Sequence, residues 1–376
     1  MTNSTENTAI RPFRIDVPQA DLDDLRSRIR AARFPDELPG VGAEYGVTVD
    51  YVRALAEYWA DGYDWRAFER RVNAYPQFTT EIDGQNIHFL HVTSPEPDAL
   101  PLILTHGWPG SFVEYLDLIE PLTNPRAHGG DPSQAFHLVI PSMPGFGFSG
   151  PTKEKGWNVR RVAAAWAELM RRLGYTRYGA VGNDGGSMVS PEVGRVAPEN
   201  VVGVHVTQIF SFPSGDPAEL TDLSEQEAAA LEHLNWFWEK MGAFNTLQAQ
   251  QPQTLAFALQ DSPVGQLAWN GQLFGAAVDA DFTLDNVTLY WLTGTAASAA
   301  RFYYENARVE PAAEPTTVPI GLAMPPEDFQ TIRRFAERDH SKLVHWTELE
   351  RGGHYAAHQV PELMVADLRT FFGSVR

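Results

Sequence analysis

Three short apolar runs, each closing in a glycine-rich turn and each parted from the next by a helical stretch, set the narrowest limit on this fold. They are "LPLILTHGWPG" (100–110), "FHLVIPSMPGFG" (136–147) and "RYGAVGNDGG" (177–186), with "VEYLDLIEPL" and "VRRVAAAWAELMRRLG" between them. Near-continuous apolar strands alternating with helices predict a mostly parallel sheet covered on both faces, an α/β architecture. A fourth run, "VVGVHVTQI", ends near residue 209, and the alternation resumes with "TVPIGLAM", "LVHWTEL" and the closing helix "PELMVADLRTFF". Ahead of the first run, "FTTEIDGQNIHFLHV" is broken by Asp83-Gly84 and predicts a two-strand hairpin.

Two segments stand outside this alternation. Residues 14 to about 75 carry apolar positions at three- and four-residue spacing among charges, as in "DLDDLRSRIRAARF" and "DYVRALAEYWA", and predict helices. About 80 residues after position 212 are rich in Trp, Phe, Gln and Ala without a strand signal, and predict a helical insertion. The division expected is 1–80, an N-terminal helical extension; 81–212, the first part of the core; 213–300, a helical cap; and 301–376, the rest of the core.

Composition removes several classes of partner and chemistry. The formal charge of -19 disfavours nucleic acid and anionic membranes. The absence of cysteine leaves neither disulfides nor thiolate metal ligands. No stretch approaches the ~18 apolar residues of a membrane span, and "MTNSTENTAIRPF" lacks the apolar run of a signal peptide. The expectation is a cytoplasmic protein.

Ligands in such folds sit at the carboxyl ends of the parallel strands. There the third run sets Asp184 at the apex of a strand, tight turn and helix, where backbone N–H groups favour an anion. An N-cap aspartate is the plainer reading. Three further features bear on the choice. The His106-Gly107-Trp108-Pro109 loop can aim a backbone N–H at a reacting centre, with the Gly185 N–H as a second oxyanion donor. In "ELERGGHYAAHQVPEL", His354 follows two glycines just past a strand, where a general base would stand. In "PIGLAMPPEDF", Glu327 or Asp328 could orient that imidazole. Nucleophile, acid and histidine in this order match the α/β-hydrolases.

On these motifs, together with "HGWPGSFVEYLDLIEPL", "PSMPGFGFSGP", "LQDSPVGQLAW", "LYWLTGTAASAARFYYEN" and "RGGHYAAHQVPEL", the chain resembles the epoxide hydrolases of the microsomal and juvenile-hormone type from about residue 10 onward. The resemblance implies an α/β-hydrolase fold with Asp184 as nucleophile, His354 as base and Glu327, rather than Asp328, as the orienting acid. It implies Trp108 and Gly185 N–H groups as the oxyanion hole, no metal or other cofactor, and an epoxide and water as the small-molecule partners. Apart from the resemblance, the cap and the N-terminal segment could form the contact of a homodimer, though the sequence leaves the oligomeric state open. The family's two cap tyrosines correspond to Tyr303 and to Phe244, which has no hydroxyl; the expectation is that Tyr303 acts alone or is helped by Trp236 or Gln248. A glycine at 185, where the family often has tryptophan, predicts extra room beside the nucleophile.

A carboxylate at the elbow suits epoxide opening, because it attacks carbon without first surrendering a proton. The aromatic run "LNWFWEKMGAF" predicts an apolar or aryl epoxide; natural-product formation is the expected setting, on no motif of its own. A haloalkane or haloacid dehalogenase with the same nucleophile, or a catalytically silent ligand-binding relative, are the alternatives. "GFGFSG" (145–150) matches a dinucleotide fingerprint but leads into Pro151, not a helix. His354 and His358 lack the glutamate of a zinc-protease helix, and nothing in the sequence accounts for His358.

Overall fold

The computed structural model describes residues 8–376; the polar first residues of the chain, read above for a leader, lie outside them. The N-terminal segment starts with an edge strand, β1 (Arg11–Phe13), followed by α1 (Gln19–Arg30), α2 (Val49–Asp61) and α3 (Trp65–Val72). The hairpin forms as β2 (Gln77–Ile82) and β3 (Gln85–Val92), with Asp83 and Gly84 both at positive φ, as a tight two-residue hairpin turn requires. Then come β4 (Leu100–Thr105), α4 (Ile119–Thr123), β5 (Phe136–Pro141), α5 (Val159–Arg172), β6 (Tyr178–Gly182), α6 (Gly185–Val196) and β7 (Val201–Val206).

Between β7 and the next strand the chain is helical: α7 (Glu225–Lys240), α8 (Ala243–Gln250), α9 (Pro252–Asp261), α10 (Pro263–Phe274), α11 (Ala280–Thr293) and α12 (Ala296–Asn306). The core closes with β8 (Ile320–Met324), α13 (Arg333–Asp339), β9 (Leu343–Glu348), α14 (Ala356–Gln359) and α15 (Pro361–Val375). Helix α12 crosses residue 300 and carries Tyr303. "VEYLDLIEPL" is mostly a tight 3-10 turn, Phe112–Leu118, before the short α4.

Among the described residues nine strands form one sheet in the order β1-β2-β3-β5-β4-β6-β7-β8-β9. Pairing is antiparallel from β1 through β3 to β5 and parallel from there on. Side chains alternate across it: Leu102 and Leu104 join one apolar layer with Phe371 and the N-terminal helices, whereas Ile103 joins the other with Trp166, Val189 and Val193. That two-sided burial explains why the strands read as unbroken apolar runs.

The N-terminal segment grips the cap through polar contacts from α2 and the residues just after it. Trp59 Nε1 donates to Thr288 Oγ1 (2.8 Å), Tyr63 to Asp285 (2.6 Å) and Tyr58 to Asp281 (2.7 Å). These bonds reach α11, so the extension fixes the helix that leads into Tyr303.

Candidate active site

The elbow rests on close backbone approach. Asp184 sits at φ 52°, ψ -119°, a conformation that costs about 1–3 kcal/mol for a residue with a Cβ and persists only where its surroundings enforce it. The surroundings enforce it by proximity. A Cβ on Gly186 would lie 1.7 Å from Thr105 O, and one on Gly107 would lie 2.0 Å from Asp184 Oδ1. Glycine at both places lets β4, the turn and α6 meet.

The Trp108 N–H donates to Asp184 Oδ1 at 2.9 Å, and the Gly185 N–H also favours the charged carboxylate. Of the two donors named from sequence, the Trp108 N–H lies on Oδ1, and Gly185 is the first residue of α6 beside it. Burial pushes the Asp184 carboxyl up, opposed by the charge of His354 and by those two N–H groups. His354 Nε2 stands 3.8 Å from Asp184 Oδ2, and Nδ1 is 3.0 Å from Asp328 Oδ1. Burial works against charge on this imidazole, but Asp328 and Asp184 outweigh it and raise its pKa to about 9.

Asp328, not Glu327, therefore holds the histidine. The sequence placed both residues correctly but chose the wrong neighbour. Glu327 pairs through its backbone with the strand-like segment at Gly353, its N–H donating to Gly352 O at 3.2 Å. Adjacent residues of an extended segment face opposite ways, so Glu327 is exposed while Asp328 turns inward.

Gln208, unnoticed in the sequence, ties these parts together. Fully buried at the end of β7, it accepts the Asp184 N–H at 2.9 Å through Oε1 and donates through Nε2 to Asp328. Its one available signal was position, a polar residue at the carboxyl end of a parallel strand. Glu114 was also missed. It is 1% exposed, accepts from Asn183 Nδ2 at 3.0 Å, and burial pushes its pKa up to about 8. Read as one acid in a helical run, it is a carboxylic acid next to the elbow.

The cap supplies an aromatic wall. Phe244 stacks on Trp108 with centroids 5.2 Å apart, and Tyr303 meets both rings edge-on at 5.9 Å. Burial raises the Tyr303 hydroxyl well above its ordinary pKa, and the Asp184 charge adds to this, so it stays protonated. Trp269, not anticipated, lies 6.4 Å from Trp108 and donates its indole N–H to Gln248 Oε1 at 3.2 Å.

Trp236 does not belong to this wall. It is 50% exposed and stacks on His233, because α7 buries none of its residues. The extra room expected beside Gly185 is also filled: Phe302 and Met143 come within 3.3 and 3.5 Å of where a Cβ would stand.

Other motifs resolve as structure. Residues Gly147–Ser149 of "GFGFSG" make a short 3-10 turn. His358 lies outside the reacting centre, with Nδ1 and Nε2 each 3.0 Å from Asp117 and Asp279. Among the described residues, His205, His345 and Asp367 form a His/His/Asp group, in which both Nε2 atoms face the carboxylate, at 2.6 and 2.9 Å. These atoms satisfy one another as polar packing between β7, β9 and α15.

Fold and site together define an α/β-hydrolase with a carboxylate at the elbow and a helical cap. Residues 101–268 match the family of the α/β-hydrolase fold, and residues 10–115 match the epoxide hydrolase N terminus. A Stigmatella aurantiaca protein bearing an epoxide hydrolase name is 44% identical over 98% of this chain and 86% of its own. Epoxide hydrolase 1 of Sus scrofa is 32% identical over 98% of this chain and 90% of its own. The solved structure of an enantioselective mutant of Aspergillus niger epoxide hydrolase superposes with a TM-score of 0.89 at 30% identity, covering 100% of this chain and 99% of that one. The chain belongs to the epoxide hydrolase family, in its microsomal and juvenile-hormone branch.

Proposed function

We propose that this enzyme opens an apolar or aryl epoxide to a vicinal diol through an ester on Asp184. The carrying observation is the line Asp184, His354, Asp328, with the nucleophile's other oxygen on the Trp108 N–H and the Gly185 N–H favouring the charged carboxylate. Asp184 attacks an oxirane carbon as its C–O bond breaks, and the Tyr303 hydroxyl gives its proton to the departing oxygen. The imidazolium proton of resting His354 then replaces the tyrosine's, by way of solvent. Esterification removes one of the anions that held that proton, so His354 becomes a base when a base is needed.

Water next attacks the carbonyl carbon of the ester, losing a proton to His354 Nε2. The negative charge on the aspartyl oxygen meets the two N–H groups. Collapse releases the diol, whose oxygen takes the proton from His354, and the Asp184 carboxylic acid so formed passes its own proton to His354, which restores the resting carboxylate and imidazolium. Asp328 fixes the tautomer and offsets the imidazolium charge throughout.

The dehalogenase reading is weaker, since halide release wants indole N–H groups and that of Trp269 is committed to Gln248. A silent binding protein would have no use for the strained elbow. Among the described residues no helix is long and apolar enough to cross a membrane; a cytoplasmic setting and a natural-product substrate complete the proposal, as do cap contacts in a homodimer. The test is one turnover of styrene oxide in heavy-oxygen water. The label should appear in the Asp184 side chain, and label found in the diol alone would refute the ester.

A further inference from the structure

A line of buried carboxamides runs behind the elbow from Asp328 to Glu114. Gln208, Asn183 and Glu114 are 0%, 4% and 1% exposed. Chemistry fixes which way each amide faces. The Asp184 N–H can only donate, so the Gln208 atom that it meets at 2.9 Å is Oε1. Gln208 Nε2 then donates to Asp328 and, at 2.9 Å, to Asn183 Oδ1, which also accepts the Thr207 hydroxyl at 2.6 Å. That leaves Asn183 Nδ2 to donate to Glu114 Oε2 at 3.0 Å.

The other oxygen of Glu114 decides its charge. Oε1 has no hydrogen-bond partner, and a buried carboxylate with a single donor is strongly disfavoured. In the acid form Oε2 is the carbonyl oxygen that accepts from Asn183, and the proton sits on Oε1. Burial accordingly pushes the Glu114 pKa up to about 8; Asn183, Tyr115 and the charge of His354 pull against it, and the charge of Asp184 adds to it. Tyr115 gives its own proton to Thr105 O at 2.8 Å. Tyr290 and Tyr355 also face the acid, their hydroxyls raised well above the ordinary pKa by burial first and by the Asp184 and Glu114 charges after it. A Cβ on Gly110 would stand 3.1 Å from the Tyr355 ring and 3.4 Å from Glu114 Oε2. That same ring meets His354 edge-on, with centroids 4.9 Å apart.

We propose that Glu114 is a positioning residue that works as a neutral carboxylic acid: its carbonyl oxygen anchors the Asn183–Gln208 pair that carries Asp328 and the Asp184 amide, and its lack of charge leaves Asp184 and Asp328 as the anions that govern His354. This role rests on the ester mechanism and deepens it. Discharge of His354 depends on losing the Asp184 charge when the ester forms, and a third anion beside the imidazole would hold the proton through that step. Glu114 stays neutral in the ester, because the imidazolium charge that vanishes pulled its pKa down more than the Asp184 charge pushed it up.

The protonation is read without substrate. Infrared difference spectra between neutral and alkaline solution should show a protonated carboxyl band that is lost as the pH rises. Burial pushes Asp285 up to about 7, so it gives a band of the same kind; the band of Glu114 is the one missing from Glu114→Gln. The coupling is read from decay of the styrene oxide ester on Asp184, followed by rapid quench and mass spectrometry across pH. Its acid limb reports the need for a neutral His354 and should coincide in the parent and Glu114→Gln, since glutamine reproduces an uncharged acid. Glu114→Leu leaves Asn183 Nδ2 unpaired, and its ester should decay roughly tenfold or more slowly than that of Glu114→Gln at the same pH. A parent without the infrared band, an acid limb displaced to lower pH in Glu114→Gln, or equal decay in Glu114→Gln and Glu114→Leu overturns the role of Glu114 and leaves the ester mechanism standing. A parent that forms neither ester nor diol from styrene oxide overturns the two together.

Discussion

His354 Nε2 and Asp184 Oδ2 stand 3.8 Å apart, beyond hydrogen-bond reach but close enough for one water to touch both once the carboxylate has become an ester. Replacing the base should leave the first step possible and stop the second. His354→Gln incubated with styrene oxide is expected to accumulate a mass increase of one substrate on Asp184, with steady turnover lowered by roughly 10³-fold or more. Intact-mass and peptide spectra check this. An unmodified Asp184 in a folded variant counts against the two-step scheme.

The pair Glu327 and Asp328 separates sequence position from geometry. Asp328→Asn keeps the shape but removes the charge facing His354 Nδ1 and should lower kcat by about 10³–10⁴-fold, as loss of the orienting carboxylate does in comparable triads. Glu327→Gln, on an exposed side chain, should stay within about threefold of the parent. The reverse ranking in steady-state kinetics would return the role to Glu327.

What the sequence made legible follows from local rules. Strands buried on both faces advertise themselves as apolar runs, and the elbow needs glycines such as Gly186 at fixed spacing, so the positions of Asp184, Trp108 and His354 at strand ends are legible in the local pattern. Glu327 was misjudged because a one-residue choice depends on the pairing with Gly353, which is set by tertiary contact. Trp236 was misjudged because an aromatic residue on a cap helix has no sign of which face will be covered, and α7 covers none of its own. Gln208 and Trp269 were invisible for a related reason: their partners lie 24 and 21 residues away, beyond any periodic signal.

Phe244 removes a hydroxyl where the family's pattern has one, so Tyr303 is the tyrosine left on this wall. Tyr303→Phe should slow formation of the ester by about 10²–10³-fold, the loss typical of one donor to a developing oxyanion. Adding Phe244→Tyr to that variant should recover part of the rate, since its ring already faces Tyr303 at 5.9 Å. Single-turnover quench experiments measure the step directly. Equal rates for Tyr303→Phe and the parent would exclude the hydroxyl from ring opening.

His358 joins three parts of the chain, and its contribution should depend on pH. Its ring lies 4.1 Å from Phe282 and its two nitrogens meet Asp117, which also pairs with Arg71, and Asp279, which caps α11. Both nitrogens can donate only in the protonated ring. Burial opposes that charge, but the two carboxylates prevail and the His358 pKa is raised. A group whose folded pKa lies above its unfolded one stabilises fully below the unfolded value, about 6.5, and ceases to do so as pH climbs through the folded value. Asp117 and Asp279 have lowered pKa values, so their share persists above the ordinary carboxylate range and is lost only in stronger acid. His358→Ala should therefore cost most near about pH 5.5–6, on the order of 0.5–1 kcal/mol for so accessible a network, and the gap to the parent should narrow in alkaline solution. Thermal unfolding of both proteins across this range measures it, and a gap that stays constant with pH would leave the ring stack on Phe282 as the whole of the residue's role.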